Sequence, residues 1–206
     1  KLLKLVNKLG GAYEKKIIVY DDEGGDWAGR MIWTLEILNY KKLFFLDGGL
    51  NAWCAEKRSI ESGDTITKEV TPINEISLNN DKLVSTESLI ELINNEYIQI
   101  WDARTYEEYK GEKYSAERNG HIPGAINLDW NMLRDFNNNL KLKPLNEISS
   151  MLCKAGFKKD KKIITHCHSH HRSGLTYIVG KLLGYDIFAY DGSWSEWGNR
   201  NDTPIE

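Results

Sequence analysis

Apolar positions along the chain follow two periods. Leu2, Leu3, Val6 and Leu9 recur at helical spacing, and Gly10 can end that helix. Two short apolar runs, 17–20 and 43–46, predict buried strands. A loop rich in Asp and Gly over 21–26 separates the first run from a helix predicted over 27–38. Asp47-Gly48-Gly49 then turns into a short helix carrying Trp53.

Further on, Ser85 can cap a helix whose apolar face is Leu89, Ile90, Leu92 and Ile93. Strands are predicted over 97–101, 125–127 and 163–165, and a short helix over 105–109. A longer helix over 145–153, with Ile148 and Leu152 inward, ends near Gly156. Strands alternating with helices predict an α/β fold: a largely parallel sheet with helices on both faces. In such sheets function sits at the carboxyl ends of the strands, here the loop after 163–165.

The order strand, loop, helix, strand, helix occurs twice. Lys15-Lys16-Ile17-Ile18 returns as Lys161-Lys162-Ile163-Ile164, a shift of 146 between residues 15 and 161. Tyr40 returns as Tyr185, a shift of 145, and Asp47-Gly48 through Trp53 as Asp191-Gly192 through Trp197, a shift of 144. An ordered series of this kind predicts a duplicated unit. Residues 1–62 are expected to form a partial unit, 63–80 a polar linker and 81–206 the complete unit. The first copy has little chain before its strand. Its front half is therefore expected to lie outside these 206 residues, which begin at Lys1.

Composition narrows the classes. With 27 basic and 30 acidic residues the net charge is −3, which argues against a general nucleic-acid or lipid-headgroup binder. No apolar run reaches the length of a membrane span. Cys54, Cys153 and Cys167 are odd in number and far apart, unlike a secreted disulfide framework, so the cytoplasm is the expected compartment. Cys54 and Cys153 lack activating neighbours and read as packing residues.

Cys167 differs. The run His166-Cys167-His168-Ser169-His170-His171-Arg172-Ser173-Gly174 ends a buried strand and opens a helix. Loop N–H groups, the positive end of the helix, Arg172 and any protonated histidine all favour thiolate over thiol. Cys167 is therefore the candidate nucleophile. Two other chemistries fit a cysteine loop. A tyrosine-phosphatase cradle has five residues between cysteine and arginine, whereas this loop has four, 168 to 171, and suits a single terminal sulfur better. Zinc or copper could take His/Cys ligands, but side chains this close in one tight loop rarely converge on one ion.

The residues Asp102-Ala103-Arg104 with Glu108-Tyr109, Gly120-His121-Ile122-Pro123-Gly124-Ala125, the Cys167 loop and 190–197 occur in order. Together they resemble the rhodanese family, the thiosulfate/3-mercaptopyruvate sulfurtransferases, and in particular its tandem two-domain members. The resemblance implies that Cys167 attacks the outer sulfur of an anionic donor and carries it as a persulfide to a thiol or cyanide acceptor. No cofactor or metal is expected. It further implies donor binding by Arg104, Arg172, His168, Ser169, His170, His171 and Ser173. For Arg104 the competing reading is an ion pair with Glu107 or Glu108.

Asp21 aligns with Cys167 by the shift of 146, so the first unit is expected to be catalytically silent and to wall the site. Read locally, Asp21 is a turn residue. His121, Asp102 and Glu108 are expected to fix loops, and Trp194 and Trp197 to fill the core. The loop sequence matches neither the thiosulfate-preferring nor the mercaptopyruvate-preferring pattern, which leaves the donor open. Its histidines predict donor binding that varies with pH near their range. A sulfur-carrier module serving a protein acceptor is the alternative function.

Overall fold

The computed structural model describes residues 2–8, 13–63, 72–76 and 78–206. Gly10 and half of the expected linker lie outside these residues. The chain opens with α1 (Leu2–Lys8), β1 (Ile17–Val19), α2 (Asp26–Ile37), β2 (Leu43–Phe45) and α3 (Gly49–Ala55). Then come α4 (Thr86–Leu92), β3 (Ile98–Asp102), α5 (Tyr106–Tyr109), β4 (Ile126–Asn127), β5 (Arg134–Asp135) and β6 (Lys141–Leu142). The last elements are α6 (Leu145–Ala155), β7 (Lys162–His166), α7 (Arg172–Leu182), β8 (Ile187–Ala189) and α8 (Ser193–Trp197).

Local signals act where the sequence places them. The Ser85 hydroxyl accepts from the Ser88 N–H and starts α4. Thr105 and Glu108 form a reciprocal capping box on α5. Gly156, at φ 103°, ends α6 in the left-handed region that glycine adopts without strain.

The main sheet is parallel, with strand order β4-β3-β7-β8. Alternation along its strands feeds two apolar layers. Trp101, Ile163, Ile187 and Ala189 pack with Ile148 and Leu152 of α6 and Leu175 and Val179 of α7. Ile100 and Ile164 face the other way, onto Leu89 of α4 and Trp194 and Trp197 of α8. Helices therefore cover both faces, and the β3 and β7 tips lie side by side, with Asp102 opposite His166.

β1 and β2 pair in parallel as a separate two-stranded sheet. The expectation of buried strands fails here. Ile18 is 64% exposed and Phe44 48% exposed, while Ile17, Val19, Leu43 and Phe45 are half-buried. Side chains alternate across a strand, and α2 packs against the sheet on the inward side. A run of four apolar residues hid that period of two.

The two sheets are joined mainly by α2 lying on α7. A Cβ on Gly29 would fall 2.3 Å from the carbonyl carbon and oxygen of Gly174, and a Cβ on Gly174 would fall 2.4 Å from the Arg30 nitrogen. The backbones cross at a distance that only glycine at both positions allows. Trp33 from α2 enters the same core as Leu175 and Val179, and the Tyr177 hydroxyl donates to Glu36 at 2.7 Å. On another side the β5–β6 hairpin meets the turn after β2 and the end of α3, with the Leu142 N–H donating to Asp47 at 2.7 Å and Lys141 paired with Glu56 at 2.6 Å.

Candidate active site

β7 delivers Cys167 to the carboxyl edge of the main sheet, and the start of α8 pins it there. The Cys167 N–H donates to the Ser193 hydroxyl at 3.3 Å, and its carbonyl accepts from the Trp194 N–H at 3.0 Å. The next carbonyl, of His168, accepts from the Ser195 N–H at 2.8 Å. Cys167 is buried. Five residues later α7 begins. Among the described residues, no protein group accepts from the backbone N–H groups of residues 168–173. The loop thus keeps a row of donors at a helix N-terminus, an arrangement suited to an anion.

The loop after β1 shows what such donors can hold. There the Asp21 carboxylate accepts from the N–H groups of Glu23 at 3.2 Å, Gly25 at 2.9 Å and Ala28 at 2.8 Å, just ahead of α2. Gly25 sits at φ 106°, and His170 in the Cys167 loop sits at φ 55°. Asp21 is more than a turn residue: its own side chain fills the cradle.

Each candidate side chain has a definite place. His170 is fully buried, with Nδ1 2.7 Å from the Ser173 hydroxyl and its ring edge-on to Trp33 at 4.6 Å. His171 stacks on Trp27 at 4.1 Å, and Ser169 lies 3.4 Å from His171 Nδ1. His168 is half-buried. Burial lowers the pKa of His166, His168, His170 and His171; Arg172 adds to the effect at His168, and Arg30 at His170 and His171. Burial thus favours the neutral form of each ring, which weakens the expected contribution of protonated histidines to the anion site.

Arg172 is the first residue of α7, and its guanidinium turns to Glu108, with two bonds of 2.6 and 2.9 Å. Burial alone would raise the Glu108 pKa, but Arg172 outweighs it and brings the carboxyl down to about 2. The same pair holds Arg172 charged against burial. Arg104 is fully buried. Its partner is Asp102 at 2.6 Å, not Glu107 or Glu108, and it also donates to the Gly120 carbonyl at 2.9 Å and lies over Trp194 at 4.2 Å. Arg104 is thus a fully buried brace that ties the β3 tip to Gly120 and Trp194. His166, also buried, sits 3.6 Å from the same Asp102 carboxylate. Cys54 and Cys153, read as packing residues, are exposed instead. Among the described residues, no three His, Cys, Asp or Glu side chains are placed to hold one metal ion.

A family model described as a rhodanese-like domain matches residues 1–56 and 85–200. The chain belongs to the rhodanese family of sulfurtransferases. It is 42% identical over 207 residues to a thiosulfate sulfurtransferase of Azotobacter vinelandii, covering 100% of this chain and 75% of that one. A thiosulfate sulfurtransferase of Pseudomonas aeruginosa is 40% identical, over 98% of this chain and 73% of its own. A sulfur carrier protein of Thermus thermophilus is 30% identical, over 98% and 74%. The anaerobic ergothioneine biosynthesis enzyme of Chlorobium limicola superposes at a TM-score of 0.88 with 21% identity, over 98% of this chain and 53% of that one. The chain spans about half of that structure, and the match shows the shared rhodanese fold.

Sequence reasoning missed the residues that reach this rhodanese loop from α2. Trp27, Arg30 and Trp33 recur every three residues, so they share a face of the helix. That face meets His171 and His170. The shift of 145 from Gly29 to Gly174 was the available signal, because it sets the first turns of α2 and α7 in register.

Proposed function

We propose that this rhodanese transfers the sulfane sulfur of thiosulfate, or of a related donor such as 3-mercaptopyruvate, through a persulfide on Cys167. The observation that carries the reading is a buried cysteine at a strand tip, followed by a loop with unengaged N–H donors at the start of α7. The Asp21 loop supports it, since there the corresponding N–H groups hold a carboxylate.

In the first step the Cys167 thiolate attacks the outer sulfur of thiosulfate. The new S–S bond forms as the old one breaks, and its electron pair leaves with sulfite. One anionic thiolate becomes one anionic persulfide, so charge balances. The loop donors then hold the terminal sulfur. Cyanide or a thiolate attacks that sulfur in the second step, giving thiocyanate or a new persulfide and restoring the Cys167 thiolate. Arg172, anchored by Glu108, supplies fixed positive charge beside the reacting sulfur. His168, Ser169 and His171 line the mouth for the donor, while His170 and Ser173 hold the shape of the loop. On this reading residues 1–62 are a non-catalytic rhodanese-like unit and 81–206 the catalytic one. Two exposed free thiols, Cys54 and Cys153, fit a reducing compartment such as the cytoplasm.

The thiosulfate reading draws on the names of the relatives at 42% and 40% identity. The name of the Thermus relative supports a second reading, in which the persulfide passes to a protein acceptor. Thiosulfate and cyanide, with thiocyanate followed, separate the two. The proposal expects thiocyanate from the native chain and none from Cys167→Ala. A native chain that takes up sulfur from thiosulfate yet yields no thiocyanate would favour the carrier.

A further inference from the structure

The anionic end of the donor needs a cation that is not already spent. Arg172 gives two bonds to Glu108, and Arg104 is held by Asp102 and the Gly120 carbonyl. Arg134 is engaged by the Glu23 carbonyl and Asn131. Arg30 is different. Among the described residues its guanidinium makes no hydrogen bond, and its one ion pair, with exposed Asp191, is long at 3.8 Å.

Its position is fixed by the glycine crossing, which brings the Arg30 backbone against Gly174 in the first turn of α7. The guanidinium lies 4.8 Å over Trp33, the ring that holds His170, and its side chain remains 29% exposed. Asp191 stands two residues before Ser193, whose hydroxyl receives the Cys167 N–H. The Arg30 charge is felt inside the loop: Cys167 supports it, and it opposes protonation of His170 and His171.

We propose that Arg30, reaching across from α2, binds the anionic end of the sulfur donor, and that Asp191 competes for it when no donor is present. This rests on the sulfurtransferase reading and gives the first unit a direct share in the donor site. Arg30 is thereby a specificity-determining residue for anionic donors. The loop supplies the nucleophile and the persulfide cradle, and α2 supplies the sulfonate contact.

Steady-state kinetics with thiosulfate and cyanide, together with sulfite as product inhibitor, test this. Arg30→Gln is expected to raise the thiosulfate KM and the sulfite inhibition constant about tenfold or more. The rate at which cyanide discharges a preformed persulfide stays within about twofold, because that step does not use the sulfonate contact. Arg30→Lys recovers part of the KM. The surface variant Asp191→Asn lowers the thiosulfate KM several-fold, and it does not depend on Arg30→Gln folding well. A thiosulfate KM within about twofold of native in both Arg30→Gln and Asp191→Asn would overturn the inference. No thiocyanate from the native chain would instead overturn the sulfurtransferase reading beneath it.

Discussion

Replacing Gly29 by alanine sets two effects of opposite sign against each other. Gly29 lies within α2, where alanine is intrinsically preferred to glycine by about 1 kcal/mol. With open space around it, the substitution would stabilise the chain. The added methyl instead meets the carbonyl carbon and oxygen of Gly174 at 2.3 Å and the Leu175 nitrogen at 2.8 Å. These are backbone atoms of a helix and cannot turn aside. Restoring ordinary contact requires α2 and α7 to part by about 1 Å, which loosens a core shared by Trp33, Leu175 and Val179. Overpacking of this kind costs about 1–3 kcal/mol, and a backbone obstacle places it at the upper end. Less the helix preference of about 1 kcal/mol, the net cost is about 2 kcal/mol; for a chain of this size each kcal/mol lowers Tm by about 2–4 °C, so Gly29→Ala is expected to melt about 4–8 °C below native. Gly174→Ala meets the Arg30 nitrogen at 2.4 Å and the Asp26 carbonyl at 2.7 Å and is expected to behave alike. The double variant should cost less than the two single variants together, since one separation relieves both clashes. Thermal unfolding followed by circular dichroism measures all three. A Gly29→Ala protein as stable as native, or more stable, would show that the close crossing is not real.

Four other expectations follow from the site. Glu108→Gln removes the partner of Arg172 and is expected to cost about 2 kcal/mol at pH 7. Because the folded Glu108 pKa is about 2 against an ordinary 4.5, that cost should shrink as pH falls from 4.5 towards 2, as urea unfolding across that range would measure. Asp21→Ala orphans three N–H groups and is expected to cost about 2 kcal/mol in urea unfolding, while Cys167 still takes up sulfur. With the histidine pKa values lowered by burial, the unfolded chain takes up protons first as pH falls through about 6.5. Stability should therefore hold above that range and drop below it, with His166 and His170 each adding a slope of up to about 1.4 kcal/mol per pH unit. The same lowering predicts little change in the thiosulfate KM between about pH 8 and 7, and a steady fall in KM over that span would show charged histidines at work.

The loop around Cys167 stands out in the sequence because its signals are local. Cys167, four histidines and an arginine crowd one strand-to-helix turn, and the caps at Ser85, Thr105 and Gly156 each act within a few residues. What was misread depends on distance in sequence. Arg104 lies four residues from Glu108, yet its guanidinium folds back on Asp102, and Glu108 is taken by Arg172, 64 residues on. The histidines looked chargeable as letters, but burial lowers their pKa values, with Trp27 against His171 and Trp33 against His170. Ile18 and Phe44 read as core because a continuous apolar run does not say which face is covered. The residues that α2 lends to the site could be placed only once its crossing with α7 was known.

The mass of the intact protein after brief treatment with thiosulfate is the most direct measure of the central claim. A gain of about 32 Da, the mass of one sulfur atom, is expected on the peptide holding Cys167, absent from Cys167→Ala and lost on adding cyanide as thiocyanate appears. The exposed thiols Cys54 and Cys153 serve as internal controls and should stay unmodified. A native protein that gains no sulfur, or gains it equally on the exposed cysteines and on Cys167→Ala, would contradict the assignment of Cys167 as the persulfide carrier.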